Sequence, residues 1–206
     1  MAKSVPDNCP ELILASGSKT RAKMLTNAGV DFTVLRPTVD EEALKGDLLA
    51  SGASGRVIAD TLAETKARTL SFMHPDAFII GADQILEKDS KIFSKAETLD
   101  EAKETLLALS GGTHTLLSAV VVCQNGQTLW RHVDAAKISV RPLCDDYIAG
   151  YLDTLGDDAF WSVGCYQLEG LGAQLFTKVD GDYFTVLGMP LLPLLDFLRR
   201  HKLMPL

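Results

Sequence analysis

The stretch Ile79-Ile80-Gly81-Ala82-Asp83-Gln84-Ile85-Leu86 decides how this chain reads. An apolar run is broken by a glycine, an alanine and one carboxylate, and then resumes. Short apolar runs of this kind form buried strands. A carboxylate inside one is costly unless it is paired, metal-bound or opens onto a cleft. Asp83 is therefore either a structural acid bonded to nearby backbone N–H groups or a functional one, since perturbed acids gather at functional sites. Gly81 and Ala82 are expected to leave room there for a ligand.

Outward from this strand the chain alternates strands and helices. Glu11 to Ser16 reads as a short buried strand. Ser18 caps a helix bearing Ala22, Met24, Leu25 and Ala28 and stopped by Gly29. VDFTVLRP is a second strand ending at Pro37. TVDEEALKGDLLASGASG, polar and glycine-bearing, reads as loop with at most one helical turn. From Arg56 to Phe72 the apolar positions Ile58, Leu62, Ala63, Ala67 and Leu70 fit one helical face. The opening strand then turns at Lys88-Asp89-Ser90 into a short partner.

Thr98-x-x-Glu101 is a capping box, and Gly111-Gly112 closes its helix. THTLLSAVVVCQNGQTLWRHV is a hairpin turning at Asn125-Gly126. AAKISVRPL reads as another strand and CDDYIAGYLDTL as a short helix. GAQLFTKVDGDYFTVLG reads as a strand pair turning at Asp180-Gly181. Pro190 opens a last helix whose end carries Arg199, Arg200, His201 and Lys202, cations suited to that end of its dipole. This order predicts an α/β fold with a mixed sheet.

The 206 residues, 47% hydrophobic, support one domain over residues 1–206 with a sizeable core. A net charge of −7 argues against a nucleic-acid partner, which calls for a basic excess. An anion such as a nucleotide remains open, given local cations, backbone N–H groups or a metal ion. No apolar run reaches membrane-spanning length. Cys9, Cys123, Cys144 and Cys165 are scattered without a Cys-x-x-Cys pair, so no zinc site is expected. The expectation is a soluble cytoplasmic protein with free thiols and no membrane partner.

The turn Ser16-Gly17-Ser18-Lys19-Thr20-Arg21 lies between a strand and a helix. Its hydroxyls and the helix N-terminus can cradle a phosphate, and Arg21 offers a fork for phosphate oxygens. The plainer reading is a capped helix start with a solvated arginine. The Walker spacing is absent. Asp40, Glu41 and Glu42 read as a solvated face unless they reach Asp83, where two or three carboxylates suit a divalent cation. Lys66 and Lys95 stand alone in sequence. Glu169, in YQLEGLGAQ, is a cleft residue or a rim charge. His114 has no catalytic or metal partner at a recognisable spacing and reads as structural, and nothing beside Cys165 signals an activated thiolate.

LILASGSKTRAKMLTNAGVDFTVLRPTVDE, ETKA, IIGADQ, SKA, LSGGTHTLLSAVVV, VGCYQLEGLGAQLF and GDYFTVLGMPL occur in this order. Together they resemble the Maf family of nucleoside triphosphate pyrophosphatases over nearly the whole chain. The resemblance implies a two-lobed α/β fold with a long mixed sheet and a cleft between the lobes. It implies hydrolysis of a nucleoside triphosphate to the monophosphate and pyrophosphate, a divalent cation (Mg²⁺, Mn²⁺ or Co²⁺) and a homodimer.

Asp83 matches the family's catalytic acid, whether as base or as metal ligand, and Glu41 the loop acid near the metal. Ser16, Ser18 and Arg21 match the phosphate-binding turn, and Lys66 and Lys95 the lysines facing the triphosphate. Three places depart from the usual pattern: Ser18-Lys19-Thr20-Arg21 for Ser-Pro-Arg-Arg, Ser94-Lys95-Ala96 for Gly-Lys-Pro, and Trp161-Ser162 for Asp-Lys. Asp83-Gln84 and Glu169-Gly170 resemble the branch acting on 7-methyl-GTP rather than the dTTP and UTP branch. That branch has Trp where this chain has Thr20, so Thr20, Gln84 and Glu169 are the expected specificity positions. The competing class is a nucleotide-binding regulator of cell division without turnover.

Overall fold

The computed structural model describes residues 10–204, and Cys9 lies outside the described residues. The strands are β1 (Leu12–Ala15), β2 (Thr33–Leu35), β3 (Phe78–Lys88), β4 (Lys91–Phe93), β5 (Thr113–Gln124), β6 (Gln127–Val140) and β7 (Phe176–Asp180). The helices are α1 (Lys19–Asn27), α2 (Glu41–Ala50), α3 (Gly55–Met73), α4 (Leu99–Leu109), α5 (Asp145–Leu155), α6 (Tyr183–Val186) and α7 (Leu191–Arg200). Seven strands form one sheet in the order β2-β1-β3-β5-β6-β7, with β4 paired to β3. β1 runs parallel to β2 and β3, and the other pairings are antiparallel, so the expected mixed sheet is present.

β3 is the spine. Its side chains alternate between the two faces of the sheet. Ile79 and Ile85 pack with Ile58, Leu62 and Ala63 of α3 on one face. Ile80 and Ala82 pack with Leu25 of α1 and Leu194 of α7 on the other. Farther along, Leu86 joins a separate core built from α4, α5 and β6, including Leu106, Ile138 and Ile148. The sheet thus links two packed halves.

Several helix starts follow the sequence. Ser18 accepts from Arg21 N at 3.3 Å, and Thr98 from Glu101 N at 3.2 Å. Asn125 and Gly126 both have positive φ, the geometry of a tight hairpin turn.

Three local expectations are corrected. The segment taken for loop is the ten-residue helix α2, started by Asp40, whose carboxylate accepts from Ala43 N at 3.0 Å. AAKISV is not a separate strand but the continuation of β6 through Asp134. The residues after Gly181 form no second strand of a pair. Asp182 accepts from Thr185 N at 2.8 Å and caps the single turn α6.

Gly81 also departs from expectation. A Cβ there would collide with the Ala63 carbonyl oxygen and lie 2.9 Å from the Ala67 Cβ. The space beside this glycine belongs to α3 rather than to a ligand. The close approach sets α3 low over β3.

Candidate active site

A cleft of about 830 Å³ lies between the two halves. Ser16, Ser18, Thr20, Arg21, Glu41, Lys66, Asp83, Gln84, Lys95 and Glu169 all line it. These ten expected site positions therefore meet at one place, although they come from distant segments.

The floor is built on the α3–β3 contact. Gly81 and Asp83 point to the same face of β3, and Lys66 sits beside Ala63 and Ala67 on α3. Lys66 Nζ lies 2.7 Å from Asp83 Oδ1 and 2.7 Å from Glu41 Oε2. Lys66 and Asp83 are buried, while Glu41 is half open at the first turn of α2. A buried carboxylate needs such a partner, which answers the cost posed by an acid in an apolar strand. Asp83 Oδ2 has no partner among the described residues, so it is free to act on a ligand.

Glu41 and Asp83, converging on one ammonium, bring two hard oxygen donors together. That donor set suits a divalent cation which keeps waters and takes substrate phosphate oxygens as its remaining ligands. Among the described residues no group of three or more His, Cys, Asp or Glu gathers as a protein-only metal site.

The phosphate-binding turn differs from expectation at Arg21. Its guanidinium donates from Nε to Gly188 O at 2.9 Å and from Nη1 to Ala82 O at 2.9 Å and Ser16 Oγ at 3.4 Å. The fork holds two backbone carbonyls, and only Nη2 remains without a protein acceptor among the described residues. Burial pulls the Arg21 pKa below its ordinary value, with Asp83 and Glu41 opposing that pull. Ser16 Oγ accepts from Ser18 N at 3.2 Å, which shapes the turn.

Lys95 is exposed and lines the same cleft, with no ion-pair partner among the described residues. Partial withdrawal of its ammonium from water, then repulsion by Arg21 and Lys66, holds its pKa below the usual lysine range. An anion entering the cleft would relieve that repulsion.

Two further cations line the cleft that the sequence reading did not single out as site residues. Arg36 lies against Gly17, whose added Cβ would stand 3.0 Å from Arg36 Nε. Lys45 is buried and donates to Ser94 Oγ at 2.6 Å, tying α2 to the loop that carries Lys95. Only the i, i+4 spacing of Glu41 and Lys45 hinted that α2 turns both toward one side.

At the other end, Gln84 points to the opposite face of β3 from Asp83. Its Nε2 donates to Ser118 Oγ at 2.9 Å and to Thr185 O and Val186 O at 3.1 Å each. Two carbonyls cannot donate, so the amide is fixed with its nitrogen inward and Oε1 is left to accept from a ligand. Glu169 is exposed on the cleft wall with no ion-pair partner among the described residues.

His114 is buried and its Nε2 lies 2.6 Å from Tyr166 Oη, a hydrogen-bonded pair within the packed interior. Burial pushes the Cys165 thiol up to about 11, which leaves it unreactive. Among the described residues no helix is long and apolar enough to cross a membrane.

Residues 11–201 match the family described as Maf-like protein. A nucleoside triphosphate pyrophosphatase of Caulobacter vibrioides is 52% identical over 91% of this chain and 94% of its own. A 7-methyl-GTP pyrophosphatase of Brucella abortus is 47% identical over 93% of this chain and 96% of its own. One from Rhizobium meliloti is 47% identical over 92% and 96%. A family match over residues 11–201 and near-complete coverage at this identity show that the chain belongs to the Maf family.

Proposed function

We propose that this protein hydrolyses a nucleoside triphosphate to the monophosphate and pyrophosphate, with 7-methyl-GTP as the preferred class of substrate. The observation that carries the reading is the pairing of Asp83 and Glu41 through Lys66, in one cleft with Lys95, which has no ion-pair partner among the described residues. The names of the Caulobacter, Brucella and Rhizobium relatives support it.

The reaction consumes one water, breaks the P–O bond of the α–β anhydride and releases pyrophosphate. Lys66 holds Asp83 Oδ1, which leaves Oδ2 to take a proton from the attacking water or to bind the cation. Glu41 and Asp83 would hold a Mg²⁺, Mn²⁺ or Co²⁺ ion, which supplies charge neutralisation at the phosphates when bound. Ser16, Ser18 and the N-terminus of α1 offer donors to phosphate oxygens. Lys95 and the free Nη2 of Arg21 add positive charge where it builds up on the leaving pyrophosphate. No covalent intermediate is needed.

The base end favours a cationic purine. A 7-methylated guanine carries positive charge, and Glu169 faces the cleft without a protein counter-ion. Its carboxylate also accepts from the guanine N1–H and exocyclic amine, and Gln84 Oε1 offers a further acceptor. Thr20 presents no ring to the base. The protein acts as a cytoplasmic homodimer in this reading, and sedimentation checks the oligomeric state.

The deciding experiment measures pyrophosphate release from 7-methyl-GTP, GTP, dTTP and UTP with each of the three cations, and again after chelation. The expected result is cation-dependent release with the highest kcat/KM for 7-methyl-GTP. Preference for dTTP or UTP would overturn the base assignment. No release from any substrate would overturn the enzyme in favour of a nucleotide-binding regulator.

A further inference from the structure

Trp161 ends the short 3₁₀ segment Gly156–Trp161 and lies on the wall of the cleft. It is 52% exposed, whereas Phe93 and Tyr166, which line the same cleft, are withdrawn at 7% and 5% and Phe160 is half-buried. An indole left in water inside a concave site is a ligand-binding feature, since the same ring buried would stabilise the fold. Two observations identify what it binds. Lys19 Nζ, from the first turn of α1, stands 4.7 Å from the ring centroid, so the indole already holds a cation over its face. Glu169 lies on the same segment of wall without an ion-pair partner among the described residues. A flat π surface beside an unpaired carboxylate complements a flat heterocycle that carries positive charge.

We propose that Trp161 is the stacking platform for the substrate base, and that the base displaces Lys19 from the ring. The inference rests on the nucleoside triphosphate reading and adds a specificity residue to it. A cationic purine replaces one cation–π contact with another and adds stacking area. A neutral pyrimidine gives less of both and leaves Glu169 without a counter-charge. The displaced Lys19 ammonium, one residue from Ser18, is freed toward the phosphates at the turn. Trp161 therefore acts on base choice, while Lys19 is exchanged from the base end to the phosphate end as substrate enters.

The test uses the full chain in two arms. In kinetics with 7-methyl-GTP, Trp161→Ala should raise KM roughly 5- to 150-fold, the range expected for losing one base stack, with little change in kcat. Trp161→Phe should restore most of the loss. In binding, a Trp130→Phe protein retains Trp161 as its single tryptophan, since the chain has 2. Its fluorescence should be quenched by 7-methyl-GMP more than by UMP. Unchanged KM in Trp161→Ala alongside normal pyrophosphate release would overturn the platform and leave the activity standing. If the wild type released no pyrophosphate, the activity would fall, and quenching by 7-methyl-GMP alone would still uphold the platform.

Discussion

Asp83 Oδ1 accepts a 2.7 Å hydrogen bond from Lys66 Nζ across the contact between β3 and α3. Both side chains are buried, so the pair is part of the fold as well as of the proposed site. Asp83→Asn keeps an acceptor toward Lys66 and should fold, while hydrolysis falls by a factor on the order of 10² or more. Retention of more than about a tenth of the wild-type rate would reduce Asp83 to a structural acid. Lys66→Met should behave differently, leaving two carboxylates facing each other. Breaking a buried pair costs about 3 kcal/mol or more, so its melting temperature should drop as well as its activity.

Arg21 and Lys95 should separate in the same way. Arg21→Ala leaves the Ala82 and Gly188 carbonyls without their donor and should lower the melting temperature together with the rate. Lys95→Ala removes an exposed, unpaired cation and should lower kcat/KM with the melting temperature nearly unchanged. Calorimetry beside pyrophosphate-release kinetics reads both. An Arg21→Ala protein that melts like the wild type would contradict the carbonyl-clamp role.

Two glycine replacements should have opposite signs. Gly81→Ala drives a methyl into the Ala63 carbonyl and should destabilise by about 1–3 kcal/mol, as overpacking does. It should also slow hydrolysis, because α3 must rise from β3 and carry Lys66 away from Asp83. Gly46→Ala, in α2 with nothing within 4 Å of the added carbon, should stabilise by about 0.5–1 kcal/mol. Denaturant midpoints decide both, and a neutral Gly81→Ala would show that the helix does not rest on this glycine.

His114 gives a pH prediction. Burial, with repulsion from Lys88, lowers its pKa from 6.5 to about 4. The folded value lies below the unfolded one, so the unfolded chain takes up the proton first on acidification. This contribution is fully present above about pH 6.5 and is lost as pH falls toward about 4, worth about 3 kcal/mol in all. His114→Gln should flatten that part of the stability curve between about pH 7 and about pH 4.5. Equal slopes in urea-midpoint plots of both proteins would rule the histidine out as the source.

The residues differ in how much of this was legible. The buried strand around Asp83, the helix of Ile58 and Leu62 and the Thr98 cap follow from periodicity and capping, which are local. Helix α2 was hidden because Gly46 and the run of acids resemble a loop, although Asp40 supplies an ordinary cap. The α6 turn was hidden because Tyr183, Phe184 and Val186 have strand propensity, which Asp182 overrides. In the site, the convergence of Glu41, Lys66 and Asp83 spans three elements and depends on the tertiary fit of α3 at Gly81. Arg21 was expected at the phosphate-binding turn and lines the cleft, but the direction of its fork was not legible, because carbonyl acceptors leave no trace in sequence. Lys45 lay outside every recognised motif, and Arg36, though inside one, carried no signal of where its side chain points.

The hydrogen bond from Arg21 to Gly188 joins residues 167 positions apart. One wall of the cleft is therefore completed by a segment synthesised long after the turn it braces. On the ribosome, a nascent chain that has already formed β1, α1 and β3 still lacks one of the two carbonyls that seat this guanidinium. Chains stalled before Gly188 should bind nucleotide poorly however well their earlier segments pack. Competence then arrives late in translation, when the α7 segment docks.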